Sequence, residues 1–280
     1  MEFLQYDFFQ RALAAGLITA LVCPLIGIFV VVRRQSLIGD GLGHLAFAGV
    51  TGGYLLGWYP AVGALALTVT GAVGIEFVRQ RHKQYTDMGL AIFFYTGIAL
   101  AIIFSTMTRM PSSGLLSFLF GSIITVTTTD VALIALCSVT VMTVLYFLFD
   151  KLMLIALDED VASVSGINTP LINMVFSILT AFVVVVGMAV VGILLVSALM
   201  IVPVAAAYQL RLGFKKTLGC AVCFSVLSVL IGLILSFYLD IAPGGTIVMT
   251  AIIIYVAIAV CRQFFEFKGR FSHKSISTRN

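Results

Sequence analysis

Charge is what this sequence has least of. Charged residues fill 10% of its 280 positions, where a water-soluble domain carries about 25%. A soluble core of this size needs a polar shell, and so few charges would leave exposed apolar patches larger than soluble monomers tolerate. Cysteine is also scarce: the five present lie in or beside apolar runs, where they read as small hydrophobes and exclude a disulfide scaffold. No Gly-Lys dipeptide occurs anywhere in the chain. There is therefore no phosphate-binding G-x-x-x-x-G-K-S/T loop, and no H-E-x-x-H, so neither an ATPase nor a zinc peptidase is encoded. Long soluble segments, low-complexity tracts and linkers are missing too, which leaves one membrane domain. What is present is 61% hydrophobic residues and a mean hydropathy of +1.16. Lipid is the natural solvent for such a chain.

Apolar stretches of roughly 18 to 22 residues recur along the whole length, each able to cross about 30 Å of hydrocarbon as a helix. Nine are expected, over 11–32, 36–58, 60–78, 88–107, 129–149, 170–189, 191–210, 217–238 and 246–262. The fold class is all-α and polytopic, with eight to nine spans. A further piece, 111–128, opens with Pro111, contains Gly114 and Gly121, and ends in threonines. It is too broken to span and reads as a short or re-entrant helix. The first span follows Glu2 and Asp7 rather than a basic stretch, the opposite of a secretory leader. Residues 1–265 form the membrane domain and 266–280 a cytoplasmic tail. With the N-terminus outside and the C-terminus inside, alternation of nine spans places every Lys and Arg except Arg11 and Arg109 on the cytoplasmic side.

The second span, RRQSLIGDGLGHLAFAGVTGGYLLGWYP, is the one with ionisable residues well inside it. Asp40 and His44 are four apart, which stacks them on one helical face. Counted from Arg34, Asp40 lies about 9 Å and His44 about 15 Å into the span, and an ionisable residue at that depth is a functional candidate. Carboxylate plus imidazole suits Zn²⁺, Mn²⁺ or Fe²⁺. Two ligands are too few, but a two-fold dimer with this span on its axis would supply four. The bland alternative is a pair that bond each other or cap a helix near Gly39. Gly49, Gly53 and Gly57 recur every fourth position, a face that admits close backbone packing or leaves open space.

Weaker candidates follow. Cys220 and Cys223 form a CxxC inside an apolar helix and read as packing. His82 and His273 sit in polar surroundings, Glu76 and Asp87 bracket the basic loop between them, and Asp240 lies in an external turn. Pro203 would kink the seventh span and help shape a pathway. The longest charged link, DKLMLIALDEDVASVSGINT, carries Asp158, Glu159, Asp160, Ala162 and Gly166, and reads as a short surface helix ending near Gly166.

Taken together, VVRRQSLIGDGLGHLAFAGV, LDEDVASVSGI, LLVSALMIVPVAAAY and DIAPGGTIV resemble the metal-ion permease family of bacterial ABC importers, over nearly the whole chain. The resemblance implies a permease homodimer in the bacterial cell membrane, two cytoplasmic ATP-binding subunits and an extracellular metal-binding delivery protein. No permanently bound cofactor or nucleic acid is expected. It implies that Asp40 and His44 are pathway ligands, and that Asp158, Glu159, Asp160, Ala162 and Gly166 dock on the ATPase. The residue before the histidine, often Ser in that family, is Gly43 here. FLQYDFFQRALAAGL and PLIGIFVVVRRQSLIGD look more like zinc-uptake members than manganese ones, so zinc is the expected cargo. The alternatives are a manganese or iron permease of the same family, a proton-coupled carrier using Asp40 and His44 as a relay, and a membrane scaffold in which the pair is dispensable.

Overall fold

The computed structural model describes residues 5–81, 86–108, 112–188, 190–193 and 195–277. Among these there is no strand, and the chain forms eleven helices. They are α1 (Asp7–Val32), α2 (Ile38–Leu56), α3 (Pro60–Arg81), α4 (Thr86–Thr108), α5 (Ser112–Phe120) and α6 (Thr128–Leu157), then α7 (Glu159–Val164), α8 (Thr169–Met188), α9 (Val196–Tyr208), α10 (Phe214–Leu239) and α11 (Pro243–Ser277). Seven are long and apolar enough to cross a membrane: α1, α3, α4, α6, α8, α10 and α11.

The other two expected spans also form helices but miss that standard for different reasons. α2 is 19 residues long, enough for about 28 Å, but its glycines, Asp40 and His44 dilute its apolarity. α9 has 13 residues and reaches only about 20 Å, starting five residues later than the sequence suggests. The cause lies in the link before it, where Gly192 adopts φ +88° and Ile193 donates its N–H to the Phe118 carbonyl of α5 at 3.0 Å. Val190, Val191 and Ile193 are buried all the same. Irregular backbone is tolerated at such depth where protein surrounds it.

α5 has nine residues, about 13 Å of helix, and stops at Gly121 with φ +77°. Gly121, Gly192 and Gly244 bring the end of α5, the α8–α9 link and the start of α11 into direct backbone contact. A Cβ on any of the three would overlap main-chain atoms of its neighbours.

α1 and α8, apolar on nearly every side, form the buried middle. α1 packs on α6, α8, α9 and α10, while α2 lies between α3 and α4. The outward faces of α4, α6 and α11 expose Tyr95, Ile102, Leu136, Phe147, Ile253 and Val260, which suits contact with acyl chains. Hydroxyls along these helices turn back on their own turns: Thr96 bonds the Ile92 carbonyl at 2.7 Å, Thr140 that of Leu136 at 2.9 Å, and Thr143 that of Val139 at 2.7 Å. These three hydroxyls are thereby paired without water.

The α2–α3 contact depends on glycine. A Cβ at Gly49 would lie 2.7 Å from the Ala64 Cα and overlap the Gly63 carbonyl, and one at Gly53 would lie 3.4 Å from the Gly63 Cα. Gly57 stands apart. It closes α2 in the left-handed conformation (φ +70°), with nothing within 4 Å of a Cβ there. The helical backbone of α11 continues past its apolar part, Pro243–Gln263, through residues assigned from sequence to a tail.

Gly49→Val should lower the melting temperature of the detergent-solubilised protein, because overpacking against backbone costs about 1–3 kcal/mol. Gly245→Ala, where a Cβ meets nothing within 4 Å, should leave it unchanged. Equal melting temperatures for both variants and wild type would remove the α2–α3 contact as a constraint.

Candidate functional site

Asp40 sits in the first turn of α2. Arg34 adopts a left-handed turn (φ 56°) and the helix begins only at Ile38, so the helical rise applies from Ile38 onward. Measured from Ile38, Asp40 lies about 3 Å and His44 about 9 Å along the axis. Both side chains are half-buried.

Each leans on a different neighbouring helix. The Ser197 hydroxyl, in the first turn of α9, donates a hydrogen bond to Oδ1 of Asp40. The imidazole of His44 meets the Phe94 ring of α4 edge to face, centroids 4.5 Å apart. Three glycines make these approaches possible. A Cβ at Gly97 of α4 would lie 2.8 Å from the His44 carbonyl carbon, one at Gly39 would lie 3.0 Å from the Ser197 Cβ, and one at Gly43 would lie 3.2 Å from the Ile193 carbonyl oxygen. Gly43 therefore makes room for the irregular α8–α9 link.

Among the described residues no group of three or more His, Cys, Asp or Glu side chains gathers to hold a metal. One copy of the chain brings two candidate ligands and a hydroxyl to the site. Pro203 is buried within α9, whose Met200 carbonyl presses on Gly27 of α1.

At the other end, Asp158 caps α7: its Oδ1 accepts from the Asp160 and Val161 amides, each at 3.0 Å. Gly166 (φ +82°) closes the helix, its amide bonding the Ser163 carbonyl at 3.1 Å and Ile167 bonding that of Ala162 at 3.2 Å. This doubly bonded glycine stop needs a left-handed residue. Ala162 is wholly buried against the body of the protein, whereas Val161 and Val164 point outward, Val164 at 90% exposure. Of the residues expected to face a partner, Ala162 thus faces inward.

Glu159 also turns inward, accepting from Nδ2 of Asn173 on α8 at 2.8 Å. Oδ1 of Asn173 in turn accepts from Nη1 of Arg33 at 3.0 Å, at the end of α1. On α3, Arg79 pairs with buried Glu76 (Nε to Oε2, 3.1 Å) and lies 3.9 Å from Glu159. Ser177 and Gln80 each give Glu76 a further bond at 3.2 Å. The Arg33 guanidinium lies 4.7 Å over the Phe176 ring. Burial, reinforced by the Arg79 charge and opposed by Glu159 and Glu76, lowers its pKa to about 10, so it stays charged at neutral pH.

Cys220, Cys223 and Asp240 do not converge on either place, and the side chains of Asp87 and His273 lie outside the described residues. Cys220 and Cys223 are free thiols on α10, Asp240 is an exposed left-handed residue ending α10, and His82 lies outside the described residues. Ser197, Asn173 and Arg33 were not singled out from sequence. Asn173 carried a usable signal as an amide inside an otherwise apolar span.

The sequence matches the profile of the ABC 3 transport family over residues 5–262. A probable metal transport system membrane protein of Treponema pallidum is 36% identical over 265 residues, covering 93% of this chain and 97% of its own length. A manganese transport system membrane protein of Listeria monocytogenes is 30% identical over 90% of both chains. A high-affinity zinc uptake system membrane protein and a probable iron transport system membrane protein, both of Haemophilus influenzae, are each 29% identical. Identity therefore does not separate zinc from the other metals. Among solved structures, PsaBC from Streptococcus pneumoniae in complex with Fab superimposes with a TM-score of 0.83 at 26% identity, over 92% of this chain and 94% of that one.

Proposed function

Since the chain belongs to the ABC 3 transport family, we propose that it is the membrane permease of an ATP-driven importer and carries a divalent transition metal into the bacterial cytoplasm. The observation that carries this reading is the Asp40 and His44 pair on one glycine-rich helix, each packed on a separate neighbour. The ion is cargo, so the site must bind well enough to admit it and weakly enough to release it. Two copies of the chain, related by a two-fold axis beside α2, would offer two carboxylates and two neutral imidazoles. Their formal charge of −2 offsets the ion where unpaired charge is costly. Ser197 holds the Asp40 carboxylate in place, and Phe94 restricts rotation of the His44 ring. Gly49 and Gly53 set the α2–α3 spacing beside the path, and Pro203 shapes α9 where it meets α1.

Zinc is the ion that FLQYDFFQRALAAGL and PLIGIFVVVRRQSLIGD favour by likeness, while the names of the relatives support manganese and iron as well. Mixed Asp and His ligands accept all three. Stimulation of ATP hydrolysis by Zn²⁺, Mn²⁺ or Fe²⁺, in liposomes holding the permease, its ATPase and the delivery protein, decides among them. Absence of stimulation by any of the three ions would end the importer reading.

His44→Ala should reduce uptake to background, and Asp40→Asn nearly so, at matched membrane levels. Ser197→Ala should raise the metal concentration for half-maximal uptake about tenfold. Wild-type uptake in the first two variants returns the pair to a structural role.

Two ATPase subunits dock on the cytoplasmic side through α7, with Asp158 and Gly166 fixing its ends, Glu159 and Asp160 in its first turn and Ala162 seating it on the permease. Val161 and Val164 form the contact face. Val164→Glu should abolish co-purification of the ATPase while leaving the permease folded, and retained co-purification would move the docking site elsewhere.

Nine crossings, with α2 and α9 completing the set, put the N-terminus outside and residues 266–280 in the cytoplasm. Impermeant thiol reagents applied to single cysteines at Gln5 and Ser277, in a background without native cysteines, should label only Gln5→Cys from outside. Labelling of both ends from one side would require an even number of crossings.

A further inference from the structure

A bond path joins α7 to the foot of α2. Glu159, the first residue of α7, accepts from Asn173 at 2.8 Å, and Asn173 accepts from Arg33 at 3.0 Å. Arg33 is followed by the four-residue turn that starts α2, with Asp40 in its opening turn. The path therefore joins segments 140 positions apart and spans two junctions that the backbone itself does not connect. Its members are also unevenly satisfied. Nε and Nη2 of Arg33 are buried and find no hydrogen-bond partner among the described residues, although the opposing carboxylates of Glu159 and Glu76 both act on its charge. Buried donors left unpaired are costly, so a nearby arrangement that pairs them competes with this one. A cavity of about 410 Å³, lined by Arg33, Arg79, Glu159 and Asn173 among others, gives these side chains room to exchange partners.

We propose that Arg33 and Asn173, with Glu159, form a relay that passes displacement of α7 to the foot of α2, and so ties the ATPase stroke to the setting of Asp40 and His44. This rests on the reading of α7 as the ATPase-docking helix. Arg33 and Asn173 are positioning residues: neither touches the ion. The relay depends on the donor and acceptor pattern at Asn173, which presents its amide nitrogen to a carboxylate and its oxygen to a guanidinium. No hydrophobic residue of similar size can do both, and an aspartate there would set two carboxylates against each other.

The experiment uses the full complex in liposomes and measures ATP hydrolysed per Zn²⁺ or Mn²⁺ ion imported. Asn173→Asp should assemble with the ATPase as wild type does, yet raise that ratio about tenfold, within the usual span of coupling between sites. The exchange variant Glu159→Gln with Asn173→Asp restores a donor facing an acceptor, with an amide on α7 and a carboxylate that also meets Arg33. It should return the ratio to the wild-type value. A merely structural role would not produce that rescue. The relay is overturned if Asn173→Asp keeps the wild-type ratio, if the double variant couples no better than Asn173→Asp alone, or if Asn173→Asp loses the ATPase. Failure of the docking reading shows separately, as co-purification that survives Val164→Glu.

Discussion

A backbone amide in hydrocarbon has no water to turn to, and this constraint governs the structure from end to end. The helices meet it by internal hydrogen bonding along their length, and threonines such as Thr96, Thr140 and Thr180 follow suit by bonding to carbonyls one turn back. The α8–α9 link departs from helix while buried. There α5 supplies the missing partner, through the Phe118 carbonyl, and three glycines let the main chains touch. α5, too short to cross, finds its role in that support. Because α9 starts late, its first turn lies level with Asp40 rather than at the outer surface, and Ser197 can reach the carboxylate.

Two polar layers result, one above the other. The upper consists of Asp40, His44, Ser197 and the aromatic face of Phe94. The lower consists of Arg33, Glu76, Arg79, Glu159 and Asn173, in which two arginines and two glutamates balance formally while an amide mediates between them. The buried Glu76 is the best satisfied of these, with Arg79, Gln80 and Ser177 all bonding to it. Arg33 is the least. A polar cluster that is partly satisfied gains more by rearranging than a complete one does, and this one lies between the candidate docking helix and the candidate metal helix.

Much of the fold was legible in the sequence because hydrophobic runs and breakers report local physics. All nine apolar runs became helices, the broken stretch after Pro111 became a short one, and the acidic link became α7 with its stop at Gly166. What the sequence did not disclose was contact between distant segments. The start of α9 shifted because the α8–α9 link bonds to α5, and periodicity in residues 191–210 holds no trace of that partner. Asp40 and His44 stood out as ionisable residues in an apolar run, but Ser197 looked like any small residue inside one. Ala162 likewise looked as available to a partner as Val164, since only tertiary packing decides which face of a six-residue helix is covered. Gly49, Gly53 and Gly57 share one spacing, yet two make a helix contact and the third ends a helix.

The meeting of Gly121, Gly192 and Gly244 has a consequence for heredity. A Cβ at any of the three collides with main chain rather than with a side chain that could swing aside. Every amino acid other than glycine has a Cβ, so every missense change in these three codons brings the same collision. Elsewhere in the membrane the chain can drift by exchanging Leu for Ile or Val for Ala, through small steps that selection barely registers. These three codons have no such neighbours: they vary only by silent changes, or by paired changes that move two backbones at once.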